Sequence, residues 1–551
     1  MQSLLQGYRP YLLLTLLWAL VALPGLTSMP VMDRDEARFV QATRQMAESN
    51  DYVVVRFQDE LRAKKPVGIY WLQSAMVDAF SHPAKTDAWP YRLPSALGVL
   101  LAVLMTFRLG SVLFDRRIAL LAGGLLATSL MAAVEAHLAK TDGVLLGLTS
   151  VVMGCFGLIY LAGKGGPKAP SWAALALWLA LGCALLVKGP VTLMILLLTM
   201  ITLGIADRTV VFLHGLRPVM GLLLCGAIVG PWLAAVTSAT KGAFVQKAVA
   251  EDLLPKLLGA QESHGAAPGF YVAIVLVTLF PASLFLFPAL VRAWRERSLP
   301  GIRYALAWLV PSWIVFELLP TKLPHYTLPL YPALALIIAT CLFAVRDGTY
   351  QRLAALPAML WYGLWSLVAL ALAGGFIALP IVYGDGWSLW SIPAAAGVLL
   401  ALVWGWLNLL RHRFLNAAAA VMAGAVLTYA STFGGLINTL QDLWVSERVA
   451  ARIEAMAPGA DVASAGYHEP SLVFLLGTHT LLTDGEGAAR LLAEKPGSGA
   501  VVEAHQLDSF RAGITTAGLA PRLIEGEVVR GFNYSRGKPV EMHLFTLTPQ
   551  P

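Results

Sequence analysis

Charge is scarce in this chain. Asp, Glu, Lys and Arg make up 13% of its 551 residues, where soluble domains carry roughly 25%. That shortage, together with 57% hydrophobic residues, excludes a protein that is soluble throughout. Cysteine is scarcer still. Cys155, Cys183, Cys225 and Cys341 all fall inside apolar runs, which excludes a disulfide framework and a CxxC metal site. Neither a GxGxxG nor a P-loop pattern is present, so no glycine-rich phosphate cradle of those kinds applies. Internal repeats are missing too. Inverted repeats mark many secondary transporters, so their lack weighs against transport.

What is there is apolar length. A spanning helix needs about 20 apolar residues. Thirteen segments qualify, near 11–28, 90–113, 118–136, 142–162, 171–187, 189–206, 218–238, 270–291, 302–319, 327–345, 354–380, 389–410 and 415–437. The expected fold is mainly α: a polytopic membrane protein of about thirteen transmembrane helices. The first segment is longer than the h-region of a signal peptide and lacks a clear small-residue cleavage site, so it reads as an anchor.

The net charge of +7 is a topology signal and not a sign of nucleic acid. With the N-terminus in the cytoplasm, every inside loop is basic: Arg9, Arg116 and Arg117, Lys164 and Lys168, Arg208 and Arg217, Arg292 to Arg303, Arg346 and Arg352, Arg411 and Arg413. Short cytoplasmic loops carry this excess. The outside then receives residues 29–89, the EAHLAKTDG turn, 239–269, the TKLPHY turn and everything after 438. Within 29–89, Phe39, Val40, Met46 and Ala47 recur at helical spacing, which predicts an amphipathic helix at the interface. Tyr52–Phe57 reads as extended, and VGIYWLQSAMVDAF as a second apolar stretch after Pro66. After 438, VASAGY, TLLTD, AVVEA and EMHLFTL alternate with ARLLAEK and LDSFRAGITTAGL. That pattern predicts a soluble α/β domain over 438–551 behind a membrane domain over 1–437.

Five clusters on the outer side could carry chemistry. In DRDE, Asp33 reads as a helix N-cap and Glu36 as its capping-box partner. Capping leaves Asp35 unexplained. Arg62 with Lys64 and Lys65 places cations outside, against the orientation rule, as an anion site would. Glu135, His137, Lys140 and Asp142 are ionisable groups at the outer end of a helix pair, costly enough there to be functional candidates. Asp142 reads equally as a helix N-cap. Lys322 and Tyr326 sit in a proline-fixed turn, with Glu317 placed to neutralise Lys322. Glu262 and His264 read mainly as loop polarity, with weak metal-ligand character. Carboxylates and cations thus gather at one membrane face.

DRDEARFVQATRQM after the first helix, KKPVGIYW, AKTDG, LVKGP, TKLPHYTLPLYPALALI and the closing GFNYSRGKPVEMHLF together resemble one family. It is the polyprenyl-phosphate-sugar-dependent glycosyltransferases of the GT-C fold, and the branch most like this chain is the bacterial aminoarabinose transferases of lipid A, related to protein O-mannosyltransferases. The resemblance implies a sugar donor on undecaprenyl phosphate and an acceptor such as a lipid A phosphate, a modification that confers polymyxin resistance. It implies Asp35 and Glu36 in the active site, Asp142 as the outer-turn acid, and Lys65, Lys322 and Tyr326 about the donor phosphate; Arg62, from the cation cluster beside Lys65, is expected there with them. It also implies a soluble domain outside that covers the site. Members often carry a glutamate before the Lys-Pro pair, which with a later loop histidine, here His264, would hold a divalent metal. This chain has Lys64 at that position. A monomer in the bacterial inner membrane is expected, in contact with membrane lipids. Transfer to a protein or glycan hydroxyl, and secondary transport, are the alternatives.

Overall fold

The computed structural model describes residues 5–253, 265–346 and 356–548. Among these, seven helices are long and apolar enough to cross a membrane, with two further bent pairs and three shorter apolar helices. The apolar runs therefore fold mainly as helices, but among the described residues they give seven to nine candidate spans and not the thirteen expected; the run 270–291, for one, is broken after Thr278 and resumes as Leu286–Arg295. The first helix is Arg9–Ala22, which starts before the expected run 11–28 and ends well short of its end. The run at 118–136 is two helices, Arg116–Ala127 and Leu130–Ala136, bent by 61°. Thr128 turns its hydroxyl back to the Gly124 carbonyl at 2.9 Å, and the Leu130 amide leaves the helix ladder for the Phe280 carbonyl at 2.8 Å. Such side-chain competition for backbone groups bends helices. Trp172–Lys188 and Val191–Asp207 are separate helices. Gly189 takes φ +66° between them, a conformation that suits glycine.

Small residues set a close helix contact beside the site. A Cβ on Gly143 would lie 2.6 Å from the Ser95 carbonyl oxygen, so the helices Trp89–Leu113 and Thr141–Ala162 approach backbone to backbone. Glycines four apart, here Gly143 and Gly147, permit this packing in membranes. The approach also fixes the start of the second helix, where Thr141 and Asp142 stand.

The stretch 29–89 holds the helices Asp35–Ser49 and Gly68–Phe80, as its pattern predicts; of the extended Tyr52–Phe57 only Arg56–Phe57 is a strand, in a small hairpin with Glu60–Leu61. Asp33 is not the cap of the Asp35–Ser49 helix. Arg34 occupies the N-cap position with φ +64°, and no side chain caps the helix.

The C-terminal region forms a mixed sheet. Its strands run Leu481–Thr483, Val462–Ala465, Gly499–Glu503, Lys538–Leu547 and Leu523–Glu525 in spatial order, with Val529–Asn533 also paired to the long strand. The first three are parallel and the long strand is antiparallel to its neighbours. Side chains alternate across the sheet. Val501, Met542 and Leu544 pack on Val449 and Ile453 on one face, while Val502 and Phe545 meet Leu492 and Phe510 on the other.

This region is fastened to the 29–89 loop. The Phe474 carbonyl accepts from Arg44 at 2.6 Å, and Gln41 donates to Thr478 at 2.8 Å. Phe474 also packs edge-on against Tyr91 at 5.8 Å. Asp33 is the central tie: its carboxylate accepts the Ser471 amide at 3.1 Å, and its own amide donates to the Tyr534 hydroxyl at 2.6 Å. Asp33 thus serves the start of the neighbouring helix Pro470–Leu476 and not its own.

Candidate active site

Two cavities meet at the end of the bundle that faces the C-terminal domain. One is a polar chamber of about 330 Å³, lined by the start of the Asp35–Ser49 helix, the loop at 62–65, Lys140 to Asp142, Lys188 and the 321–326 turn, with Ser535 of the C-terminal domain above. The other is an apolar groove of about 350 Å³ between helices, lined by residues such as Leu145, Met194, Phe244 and Phe316. Lys64, Lys65, Asp142, Lys188, Thr321 and Tyr326 line both. A hydrophilic head in the chamber and a hydrocarbon tail in the groove would join at those residues.

The chamber floor is an ion network. Lys140 pairs with Glu135 at 2.9 Å, and Lys188 pairs with Asp142. His325 stands between the two acids, with Nδ1 3.7 Å from Glu135 and Nε2 3.7 Å from Asp142. The Lys188 ammonium also lies over the Tyr326 ring, 5.2 Å from its centroid, within cation–π range. Ionised groups this deep persist because each is paired. On the opposite wall, the Arg62 guanidinium donates to the Tyr70 hydroxyl at 3.0 Å and sits over the Phe39 ring at 5.1 Å. Asp35 is exposed in the chamber. Burial pushes the Asp33 carboxyl up to about 7; Glu469 adds to the rise and the Ser471 contact offsets part of it.

Of the residues expected at the site, Asp35, Asp142, Lys65, Tyr326 and Arg62 converge on the chamber. Glu36 does not. It is 1% exposed and saturated: both oxygens pair with Arg92 at 2.8 and 3.1 Å, and they also accept the Met32 and Ala139 amides at 2.8 Å each. Lys322 does not either. Its ammonium donates to the Ala266 and Leu319 carbonyls at 2.9 and 2.5 Å and staples the turn. Glu317 does not neutralise it, but accepts the Gly269 and Val272 amides at the start of the Phe270–Thr278 helix. His137 faces away, stacked on Phe433 at 3.8 Å.

His264 lies outside the described residues. Among the described residues no group of three or more His, Cys, Asp or Glu converges as metal ligands, and Lys64 places a cation beside Lys65 in the chamber. The described residues alone do not make a divalent-metal site.

Sequence reasoning missed Lys188, His325, Arg34 and Arg38 as site residues. Lys188 had a signal: it is an ionisable residue closing an apolar run, a functional candidate by cost alone. His325 is hidden between two prolines of a turn whose lysine drew attention first.

The family described as Dolichyl-phosphate-mannose-protein mannosyltransferase matches residues 11–234. The Undecaprenyl phosphate-alpha-4-amino-4-deoxy-L-arabinose arabinosyl transferase 2 of Proteus mirabilis is 26% identical over 401 residues, 71% of this chain and 70% of its own. The corresponding transferase of Pectobacterium carotovorum is 25% identical over 426 residues, 76% of this chain and 74% of its own. In fold, the chain is similar to ArnT from Cupriavidus metallidurans bound to undecaprenyl phosphate, with a TM-score of 0.73 at 19% identity over 97% of this chain and 96% of that one. The chain has the fold of this membrane-embedded transferase, and the family match and the relatives in sequence are glycosyltransferases, so it resembles a glycosyltransferase of the GT-C type. Within that class the chain resembles the aminoarabinosyl transferases.

Proposed function

We propose that this protein transfers 4-amino-4-deoxy-L-arabinose from undecaprenyl phosphate to a phosphate of lipid A, at the periplasmic face of the bacterial inner membrane. The observation that carries the reading is the junction of the polar chamber with the apolar groove at Lys65, Lys188 and Tyr326. A polyprenyl phosphate sugar needs a hydrocarbon slot, a cation at its phosphate and a polar space for its sugar, in that order. The donor and carrier are those in the names of the Proteus and Pectobacterium relatives, and the basic loops at the opposite end of the helices support a periplasmic site.

The chemistry is a substitution at C1 of the sugar. An acceptor phosphate oxygen forms the new bond to C1 as the bond from C1 to the carrier phosphate breaks, and the electron pair leaves with undecaprenyl phosphate. Lys65 and Lys188 hold the charge that develops on that leaving group, the electrostatic contribution that usually dominates such catalysis. A phosphate acceptor is already an anion and needs no base, so Asp35 serves to balance the oxocarbenium-like charge at C1. With a hydroxyl acceptor, Asp35 would be the general base. His325 and Lys140 keep Glu135 and Asp142 in place beneath the sugar.

The test is lipid A from cells with and without the protein, read by mass spectrometry under conditions that supply the donor. Addition of the amino sugar only when the protein is present is expected. An unchanged lipid A alongside a newly glycosylated protein or glycan would move the reading to a hydroxyl acceptor.

A further inference from the structure

Three arginines line the polar chamber but not the groove: Arg34, Arg38 and Arg62. Among the described residues, none of the three makes an ion pair with a carboxylate, whereas Lys140 and Lys188 each have one. These three guanidinium groups outnumber the Asp33 and Asp35 carboxylates that line the cavity beside them, which leaves positive charge for an anion to meet, and arginine is the residue that grips phosphate through two parallel hydrogen bonds. The group is also preorganised. Arg62 is held by Tyr70 and Phe39. Arg34 and Arg38 stand one helical turn apart, joined by the Arg38 amide to Arg34 carbonyl bond of 3.0 Å. Arg34 has φ +64° and ψ −93°, a strained backbone for a non-glycine residue, and such strain persists only where the surroundings over-determine it. Here the C-terminal domain does so. Tyr534 and Ser471 grip Asp33, the residue before Arg34, and Ser535 lines the same chamber.

We infer that Arg34, Arg38 and Arg62 form a second anion site, distinct from the donor-phosphate site at Lys65 and Lys188, and that it binds the phosphate of the acceptor. The inference rests on the proposed function and deepens it: the acceptor is a phosphorylated glycolipid head, and the C-terminal domain sets its subsite through the Tyr534 contact. Arg62 belongs to this acceptor side and not to the donor phosphate.

The experiment uses the full-length protein in nanodiscs, with undecaprenyl-phosphate aminoarabinose as donor and lipid A as acceptor. KM is measured for each substrate separately. Binding of undecaprenyl phosphate and of a phosphorylated diglucosamine head is measured without turnover. Arg38→Gln and Arg62→Gln should raise the acceptor KM roughly 10- to 100-fold, the range for losing a charge-assisted hydrogen bond, with donor KM and undecaprenyl phosphate affinity unchanged. Tyr534→Phe, as a positioning change, should raise acceptor KM by a smaller factor and leave donor KM alone. Lys65→Gln should show the opposite pattern. Arg38→Lys keeps the charge and covers the case in which the glutamine variants fail to fold; it should restore acceptor binding only in part. A rise in donor KM in the arginine variants, or no change in either KM, overturns the subsite. Wild-type protein that turns over no donor would sink the proposed function. The phosphorylated head would then still decide the subsite, by binding wild type and not the arginine variants, or by binding neither.

Discussion

Replacing Lys188 by methionine separates two things this lysine does. Its ammonium pairs with Asp142, and both side chains are almost enclosed, at 11% and 6% exposure. Breaking a buried pair by removing one partner costs about 3–5 kcal/mol. Lys140 and His325 still face Asp142, so the lower end, about 3 kcal/mol, applies. The same ammonium lines both cavities, where it would meet the leaving phosphate. Loss of one preorganised contact to transition-state charge lowers kcat by about 10²–10³. A double-mutant cycle with Asp142→Asn, read as thermal stability in detergent and as kcat, tells these apart. The double variant should regain most of the stability lost in Lys188→Met, because no buried carboxylate is left without its nearest cation. It should nevertheless fall a further roughly 10² or more below Asp142→Asn in kcat. If the double variant is as active as Asp142→Asn alone, Lys188 acts only through Asp142 and the assignment to the leaving phosphate is wrong.

Other expectations follow from the same contacts. Glu36→Gln leaves buried Arg92 without its carboxylate and should destabilise the fold by about 3–5 kcal/mol, with near-normal activity per folded molecule; a large loss of kcat in folded protein would return Glu36 to the chemistry. Lys322→Met should lower the melting temperature without weakening undecaprenyl phosphate binding, and photo-crosslinking to the carrier checks it. Asp33 has a carboxyl raised from 3.8 to about 7, so the folded chain holds a proton that the unfolded chain releases. That contribution to stability is fully present below 3.8 and is lost as pH rises through about 7. Wild type should therefore lose more stability than Asp33→Asn over this window, and parallel melting curves for the two proteins would contradict the burial argument.

Much of this was legible in the sequence because membranes enforce a simple rule: long apolar runs must be helices. The strands of the C-terminal region were legible too, since VASAGY and EMHLFTL became Val462–Ala465 and part of Lys538–Leu547. Asp35, Lys65 and Asp142 stood out as charges out of place. What escaped is long-range pairing. DRDE reads locally as a capping box, yet Glu36 finds Arg92 on another helix, and Asp33 finds Ser471 and Tyr534 more than four hundred residues away. Lys322 looked like a phosphate ligand until the carbonyls of Ala266 and Leu319 claimed its ammonium. The 61° bend that delivers Glu135 depends on a contact from Leu130 to Phe280, which no local pattern carries.

The most direct test of the central claim is reconstitution. Purified protein in nanodiscs, given undecaprenyl-phosphate aminoarabinose and lipid A, should yield lipid A carrying the amino sugar and free undecaprenyl phosphate in equal amounts, and Asp35→Asn should depress both together. Donor that stays intact beside unmodified lipid A, with the protein folded and both substrates bound, would contradict the account.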